Sequence, residues 1–230
     1  MTEPYTGKES AVRLTHGAQP RGGSEFAVWP KGIPLSAIPL YDEETKAVIG
    51  FYHESQGITR IFDLQGRMVA MEEVGLETPL IDPLDIFLLG GSIRAVTKGA
   101  LSLFSRAGAR ATVRASAGMA AFLSSRAAGQ AIGHSLRLSF RAVARKQLNF
   151  TSVTARHMAE AGRHVPVHIL QQAIETGTRA ADPQGVAGAY RYVTKMWKLV
   201  KSGSEYTWKE YTLEVVVREA DWTVLHFLYR

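Results

Sequence analysis

The alternation of apolar and polar positions predicts a small β-meander in the first part of the chain. Three short stretches have a strand-like pattern: residues 46–52, 58–62 and 68–71. Gly57 and Gly66 lie between them, and glycine tolerates the positive φ that tight hairpin turns require. Residues 1–25 are polar and rich in glycine, proline and charge, which predicts a loose arm. Residues 1–83 are therefore predicted to form a polar arm and a small β-meander.

Residues 84–147 change to a composition dominated by alanine, leucine, arginine and serine, without proline, which predicts helices. Pro79 and Pro83 mark the boundary, because a residue that precedes proline avoids the helical region. Each glycine of this segment weakens a helix by about 1 kcal/mol relative to alanine. This combination of helix-forming residues and glycines fits two interpretations about equally well. One is a helical hairpin that is able to loosen or to lie on a membrane surface, and the other is a set of ordinary helices packed on a domain.

The last segment, residues 148–230, has the pattern of two helices followed by strands. Thr151 or Ser152 is suited to cap the first helix, and Pro166 is suited to begin the second. A turn signal at residues 182–185 precedes three strand patterns: residues 190–200, 206–217 and 222–229. Two helices followed by a curved antiparallel sheet make an α+β domain, which we expect to be sufficient for activity on its own.

Charge is distributed unevenly along the chain, although the net charge is only +6. Residues 1–83 hold 7 Lys and Arg against 12 Asp and Glu, residues 84–149 hold 10 against 1, and residues 150–230 hold 10 against 8. Many basic residues of the middle segment recur at multiples of four: Arg94, Lys98, Arg106, Arg110, Arg114 and Arg126, then Arg137, Arg141 and Arg145. This stripe predicts a polyanionic partner, such as nucleic acid, anionic lipid or an acidic protein, with a solvated basic face as the alternative.

Several classes of protein are excluded by what the sequence lacks. Cysteine is absent, so a disulfide framework, thiol catalysis and thiolate zinc sites are excluded. No P-loop, G-x-G-x-x-G, H-E-x-x-H or G-x-S-x-G motif occurs, and we predict catalysis without a metal or cofactor. The first residues have no apolar core of a conventional secretory signal, and no apolar run reaches the roughly 18 to 20 residues of a spanning helix.

Histidines are the strongest candidates for chemistry, and four of them fall in the last segment: His157, His164, His168 and His226. RNA cleavage without a metal needs a base for the 2′-OH, an acid for the leaving 5′-oxygen and a cation for the phosphorane. His157, His164 and His226 are the candidates for the two proton-transfer roles. Arg163 is the candidate cation. Contacts with a helix dipole, solvation or a hydrogen-bonded core position are the alternatives for these histidines.

Two further candidates lie near the end of the chain. Glu214 is alone among apolar residues in LEVVV, where it is able to orient a histidine, act as a base or simply face water. Strand alternation predicts that His226 and Tyr229 project from opposite faces of the last strand. With residues 218–221 as the hairpin turn, the residue opposite His226 is expected to be Leu213 or Glu214.

The stretch RHMAEAGRHVPVHILQQAIETGTRAADPQG, together with YTLEVVVREADWTVLHFLYR, resembles the C-terminal toxin domains of bacterial polymorphic toxins. These are carried by contact-dependent inhibition and type VI secretion effectors, and the pattern is similar to the barnase–EndoU–colicin–RelE-like ribonuclease superfamily. The matching features are His157, the Gly162-Arg163-His164 element, the helix from Pro166, and the final hairpin. Neither the first helix nor its connection contains a lysine, so a lysine-assisted variant of the chemistry is not indicated there.

This resemblance implies an antibacterial effector whose C-terminal domain is a metal-independent endoribonuclease, with tRNA as the expected substrate. The stretch of residues 57–67 looks like the β-hairpin repeats of secreted toxin scaffolds, which implies a delivery or loading role for residues 1–147, a secretion chaperone or delivery scaffold, and signal-peptide-independent secretion into the target-cell cytoplasm. The producing cell is then expected to need an acidic immunity protein. Transient membrane contact is expected of residues 84–147, from their helical and basic composition. His157, Arg163, His164, Glu214, His226 and Tyr229 are then the expected catalytic residues. ADP-ribosyl transfer, DNA cleavage, or membrane perturbation by residues 84–147 are the alternative functions.

Overall fold

The structure is a computed structural model that describes residues 4–14, 26–73, 93–95, 126–160, 162–202 and 205–230. These residues combine helices with two largely antiparallel sheets, which confirms the predicted α+β class. None of the helices in these ranges is long and apolar enough to span a membrane. The chain divides into two compact units. Unit 1 comprises Met1–Val28, Val143–Lys198 and Glu210–Arg230, and unit 2 comprises Trp29–Ala142 and Leu199–Lys209.

The described elements are numbered in chain order. The helices are α1 (Arg126–Val143), α2 (Ser152–Ala159) and α3 (Val167–Thr176). The strands are β1 (Phe26–Val28), β2 (Ile38–Asp42), β3 (Ala47–Ser55), β4 (Ile58–Asp63), β5 (Met68–Glu73), β6 (Ile93–Ala95), β7 (Asn149–Phe150), β8 (Thr178–Ala181), β9 (Ala189–Ser202), β10 (Glu205–Arg218) and β11 (Thr223–Tyr229). One sheet has the order β5-β4-β3-β2-β6, and the other has the order β1-β9-β10-β11-β7 with β8 paired to β9.

Unit 2 is built on the predicted meander, whose three strands are β3, β4 and β5. Gly57 and Gly66 have φ of 70° and 80°, so both turns use the left-handed conformation expected of them. Helix α1 packs on this sheet and buries Leu136 completely. Gly50 allows that approach, because a Cβ there would lie 2.8 Å from Leu136 Cδ2 and 2.6 Å from the Phe62 carbonyl oxygen.

The predicted helical region of residues 84–147 is only partly described. Helix α1 agrees with the prediction, but residues 93–95 form strand β6, paired antiparallel with β2. The helical prediction is wrong there because the edge of β2 provides hydrogen-bond partners for the backbone of these residues. Amino-acid composition does not reveal such a pairing with a distant strand. Residues 84–92 and 96–125, with much of the predicted cationic stripe, lie outside the described residues.

Unit 1 has the predicted order of two helices before an antiparallel sheet. Thr151 caps α2 in a reciprocal capping box with Thr154, and Pro166 is the residue immediately before α3. The apolar sides of both helices face the sheet and enclose its main core. Strand β1, which sequence pattern did not predict, pairs with β9 and buries Phe26 and Val28 in that same core.

The described part of the predicted loose arm is bound to the sheet of unit 1, and we call residues 4–14 the strap. Tyr5 is buried and donates a hydrogen bond to Asp182, and Val12 exchanges backbone hydrogen bonds of 2.7 and 2.9 Å with Phe150. Gly7 has φ of 78°, and a Cβ there would lie 2.2 Å from a methyl group of Val186. A polar composition therefore does not make this segment loose, because single residues supply specific anchors.

Candidate active site

The candidate site is centred on the Gly162-Arg163-His164 connection between α2 and α3. Its backbone is folded by Glu160, whose carbonyl oxygen accepts hydrogen bonds from the N–H groups of Arg163 (3.0 Å) and His164 (2.8 Å). Buried Val165 then fixes the chain before α3 begins. As a result the three residues of the connection each contact a different part of unit 1.

Arg163 contacts the first predicted catalytic histidine. Its Nη1 lies 2.6 Å from His157 Nε2, and its Nε lies 3.4 Å from a carboxylate oxygen of Glu160. An arginine only donates, so His157 Nε2 is the acceptor and the imidazole proton resides on Nδ1. His157 is buried and its ring stands edge-on to Phe227. The pair therefore holds a half-exposed guanidinium in a fixed position at the connection.

His164 is fixed in the orientation that a general base requires. Its Nδ1 lies 3.0 Å from the carbonyl oxygen of Met158, which can only accept, so Nδ1 carries the proton and Nε2 keeps its lone pair. Burial holds the pKa of His164 below its usual value of 6.5; the Met158 hydrogen bond opposes this effect and the charge of Lys198 adds to it. The imidazole is therefore neutral and able to accept a proton at neutral pH.

Tyr229 joins the last strand to the same connection. Its hydroxyl donates to the carbonyl oxygen of Gly162 at 2.9 Å and accepts from Lys198 Nζ at 3.2 Å. The Tyr211 ring stands edge-on to it, with centroids 5.2 Å apart. The Tyr229 hydroxyl therefore links the Lys198 ammonium to the backbone of the connection.

Sequence reasoning missed Lys198, although the pattern contained a signal for it. Lys198 is an even number of residues from Tyr192 and Met196 on β9, so strand alternation places all three side chains on the same face. The side chains of Tyr192 and Met196 are buried in the main core. A lysine is unusual on the face of a strand whose other side chains are buried in the core. The first helix and its connection contain no lysine, but β9 brings Lys198 to the site from a distant part of the chain.

His226 and Glu214 lie with a different group of residues, on the side of the sheet that contacts the strap. His226 is opposite Val216, not Leu213 or Glu214 as predicted, because β10 continues to Arg218 and a bulge shifts the register after Val216. The His226 ring stacks on Tyr5, with centroids 6.1 Å apart. Tyr229, by contrast, packs against the main core, so the predicted opposite orientation of His226 and Tyr229 is confirmed.

The surroundings of His226 connect it to the other candidates through charge. Burial lowers its pKa, Glu214 opposes that shift, and the charge of Arg163 adds to it. Glu214 itself lies 3.7 Å from Arg191. Within the described ranges, His226 Nε2 is buried without a hydrogen-bond partner. His226 is therefore within electrostatic range of Arg163.

Chemically, the connection carries a neutral imidazole with a lone pair on Nε2 and a positioned guanidinium, and it binds a phenol hydroxyl that accepts a hydrogen bond from a lysine. These are the groups that acid–base cleavage of a phosphodiester requires. Among the residues that the structure describes, no three histidine or carboxylate side chains are grouped to hold a metal ion. Comparisons with protein-family models, with curated proteins and with solved structures found no match to this chain.

Proposed function

We propose that the chain is an antibacterial effector toxin whose unit 1 is a metal-independent endoribonuclease, with tRNA as the expected substrate. The observation that carries this proposal is the arrangement at the Gly162-Arg163-His164 connection. Two of its three residues carry a neutral histidine and a positioned arginine, and the carbonyl of the third accepts a hydrogen bond from the Tyr229 hydroxyl. The sequence resemblance to polymorphic-toxin ribonucleases agrees with this chemistry.

In the proposed reaction His164 Nε2 removes the proton from a ribose 2′-OH, which attacks the adjacent phosphorus. Arg163, held by His157, stabilises the negative charge on the phosphorane oxygens. The Tyr229 hydroxyl gives its proton to the departing 5′-oxygen, and Lys198 stabilises the resulting phenolate. The products are a 2′,3′-cyclic phosphate and a free 5′-hydroxyl, so no metal-bound water takes part.

The partners follow from the same proposal. A toxin of this kind requires an acidic immunity protein in the producing cell, a secretion chaperone or delivery scaffold, and signal-peptide-independent delivery to the target-cell cytoplasm. His226 and Glu214, on the side of the sheet that contacts the strap, are proposed to support the site through charge.

The proposal is tested with the purified full chain incubated with total RNA in EDTA. We expect RNA fragments with 2′,3′-cyclic phosphate ends, and we expect His164→Ala to lower the cleavage rate about 10²- to 10⁴-fold, the usual contribution of one proton-transfer group. His134→Ala is the matched control, because His134 is an exposed histidine of α1 in unit 2. The folded state of each variant is checked by thermal melting.

Three results would contradict the ribonuclease. RNA that stays intact while DNA is cut, NAD⁺ is consumed, or liposomes leak would favour the corresponding alternative. Cleavage abolished by EDTA would require a metal-dependent mechanism. Full activity of a folded His164→Ala variant would remove His164 from the mechanism.

A further inference from the structure

Lys198 is a cation on the core side of a sheet, and its surroundings are mainly aromatic. It is directly opposite Phe26 in the β1–β9 pairing, and its Nζ lies 5.1 Å from the Phe26 ring centroid and 5.3 Å from that of Tyr229. Among the described residues, no carboxylate forms an ion pair with it. The neighbouring Lys195 on the same strand differs, because it pairs with Glu210.

The Lys198 ammonium has N–H donors for which the described residues provide no acceptor. An ammonium has three N–H donors, and the hydroxyl of Tyr229 accepts one of them. No other acceptor for Nζ is found within the described part of the chain. Because the side chain is half-buried and has no carboxylate partner among the described residues, its remaining N–H donors are available to an anion.

The groups around His164 agree with an anion at this position. The ring centroids of His164 and Phe26 are 6.1 Å apart, and Lys198 Nζ lies 5.1 Å from the same Phe26 centroid, so both groups border that ring. Besides Lys198, the groups that act on His164 are His168 of α3 and the carbonyl of Met158 on α2. Two of these three are basic and none is acidic. Since the positive charge of Lys198 disfavours protonation of His164, an anion placed between them would favour it.

We propose that Lys198, Tyr229 and His164 form a binding site for a phosphate group of the nucleic-acid backbone, with the Lys198 ammonium as its main contact. Lysine serves as a point charge for phosphate, and the Tyr229 hydroxyl adds a directed donor. This inference deepens the proposed function, on which the assignment of the anion to a nucleic acid rests. It makes Lys198 a substrate-binding residue rather than only a neighbour of Tyr229.

The test is a binding measurement by NMR on the full chain, with inorganic phosphate and with an RNA dinucleotide made uncleavable by a 2′-deoxy sugar. We expect both to bind and to raise the pKa of His164. Lys198→Met is expected to raise the pKa of His164 without any ligand and to weaken binding of both probes by about tenfold or more, the usual loss for a charge-assisted contact. Lys198→Arg should retain binding.

Lys195→Met is the matched control and should change neither the pKa of His164 nor the affinity. The proposal is overturned if a folded Lys198→Met variant binds both probes as tightly as the unaltered chain, if its His164 pKa does not rise, or if inorganic phosphate binds but the dinucleotide does not. Binding through Lys198 without any RNA cleavage would support this site and contradict the ribonuclease. Unchanged RNA cleavage and binding in Lys198→Met would overturn this site and leave the ribonuclease standing.

Discussion

Each unit has a partly buried cationic side chain, Arg137 in unit 2 and Lys198 in unit 1, and the two have different partners. In unit 2, Arg137 donates hydrogen bonds of 2.8 and 3.2 Å to the carboxylate of Asp42, which is completely buried. Glu44 adds a second carboxylate 3.2 Å from the same guanidinium. In unit 1, Lys198 donates to the neutral hydroxyl of Tyr229 and, among the described residues, has no carboxylate partner.

The difference separates a cation that serves the fold from one that serves a ligand. Arg137 and Asp42 compensate each other, so their region is electrostatically complete without any other molecule. Lys198 has no carboxylate partner among the described residues, and the proposed phosphate supplies its counter-charge. The lesson extends to the cationic stripe of α1, because Arg141 also pairs with Glu44. Regular spacing of basic residues therefore does not identify an anion site until their acidic partners are known.

The largest effect is expected from removing the part of unit 1 that comes from the start of the chain. A fragment of residues 148–230 lacks the strap and β1, and so loses buried Tyr5, Phe26 and Val28. Burial of each such side chain is worth roughly 1.5 to 3 kcal/mol, a large part of a typical stability of about 5 to 15 kcal/mol. We expect no cooperative thermal transition by circular dichroism and no RNA cleavage.

That expectation reverses the one drawn from composition, which made residues 148–230 sufficient. Supplying residues 1–30 as a separate chain is the control, and it should restore part of the transition. A fragment of residues 148–230 that melts cooperatively and cleaves RNA unaided would contradict the account of unit 1.

The next largest effect is expected from breaking the compensated pair of unit 2. Burial alone would raise the pKa of Asp42, but hydrogen bonds from Arg137 and from the Thr45 N–H hold it below its usual value. Asp42→Asn removes the charge that Arg137 needs and is expected to cost about 3 kcal/mol in the free energy of unfolding. Urea denaturation measures this. An unchanged midpoint would mean that the pair contributes nothing to unit 2.

Most of the fold of unit 1 follows from local signals that the sequence displays. Thr151 and Pro166 mark where α2 and α3 begin, and the strand patterns locate β9, β10 and β11. Strands β1 and β8 were not predicted because each is short and depends on the edge of β9 for its partner. Short strands carry little periodicity, so only the tertiary pairing defines them.

The candidate site was harder to predict than the elements that carry it. Sequence alone indicated His157, Arg163 and His164, because they are neighbours along the chain. It did not indicate Lys198, which reaches the site through strand pairing. For His226, the position of the hairpin turn and one bulge together decided the register, and a shift of that kind changes the neighbours of every following side chain.

The loss of RNA cleavage at acidic pH is expected to depend on Lys198, because its charge lowers the pKa of His164. Cleavage requires neutral His164, whose pKa is below 6.5. Activity should therefore be full at pH 7 and should fall as the pH drops through that lowered pKa. The residual activity of Lys198→Met should fall at a higher pH, because loss of the positive charge raises the pKa of His164. An acidic midpoint above 6.5 in the unaltered chain would argue against His164 as the base.

The smallest effect is expected at Glu44, the exposed partner of Arg137 and Arg141. Its side chain is 54% exposed, so water and salt screen both ion pairs. Glu44→Gln should change the free energy of unfolding by less than about 0.5 kcal/mol in urea denaturation. A loss as large as that of Asp42→Asn would show that burial of the carboxylate is not what distinguishes the two partners.

The most direct test of the central claim is one paired measurement on Arg137→Met and Lys198→Met, taking the melting temperature and the RNA cleavage rate of each. The account predicts that Arg137→Met lowers the melting temperature and retains the cleavage rate of the folded protein. It predicts that Lys198→Met retains or raises the melting temperature and loses cleavage. Full cleavage by Lys198→Met, or a loss of cleavage by Arg137→Met without any loss of stability, would contradict the division between the two cations.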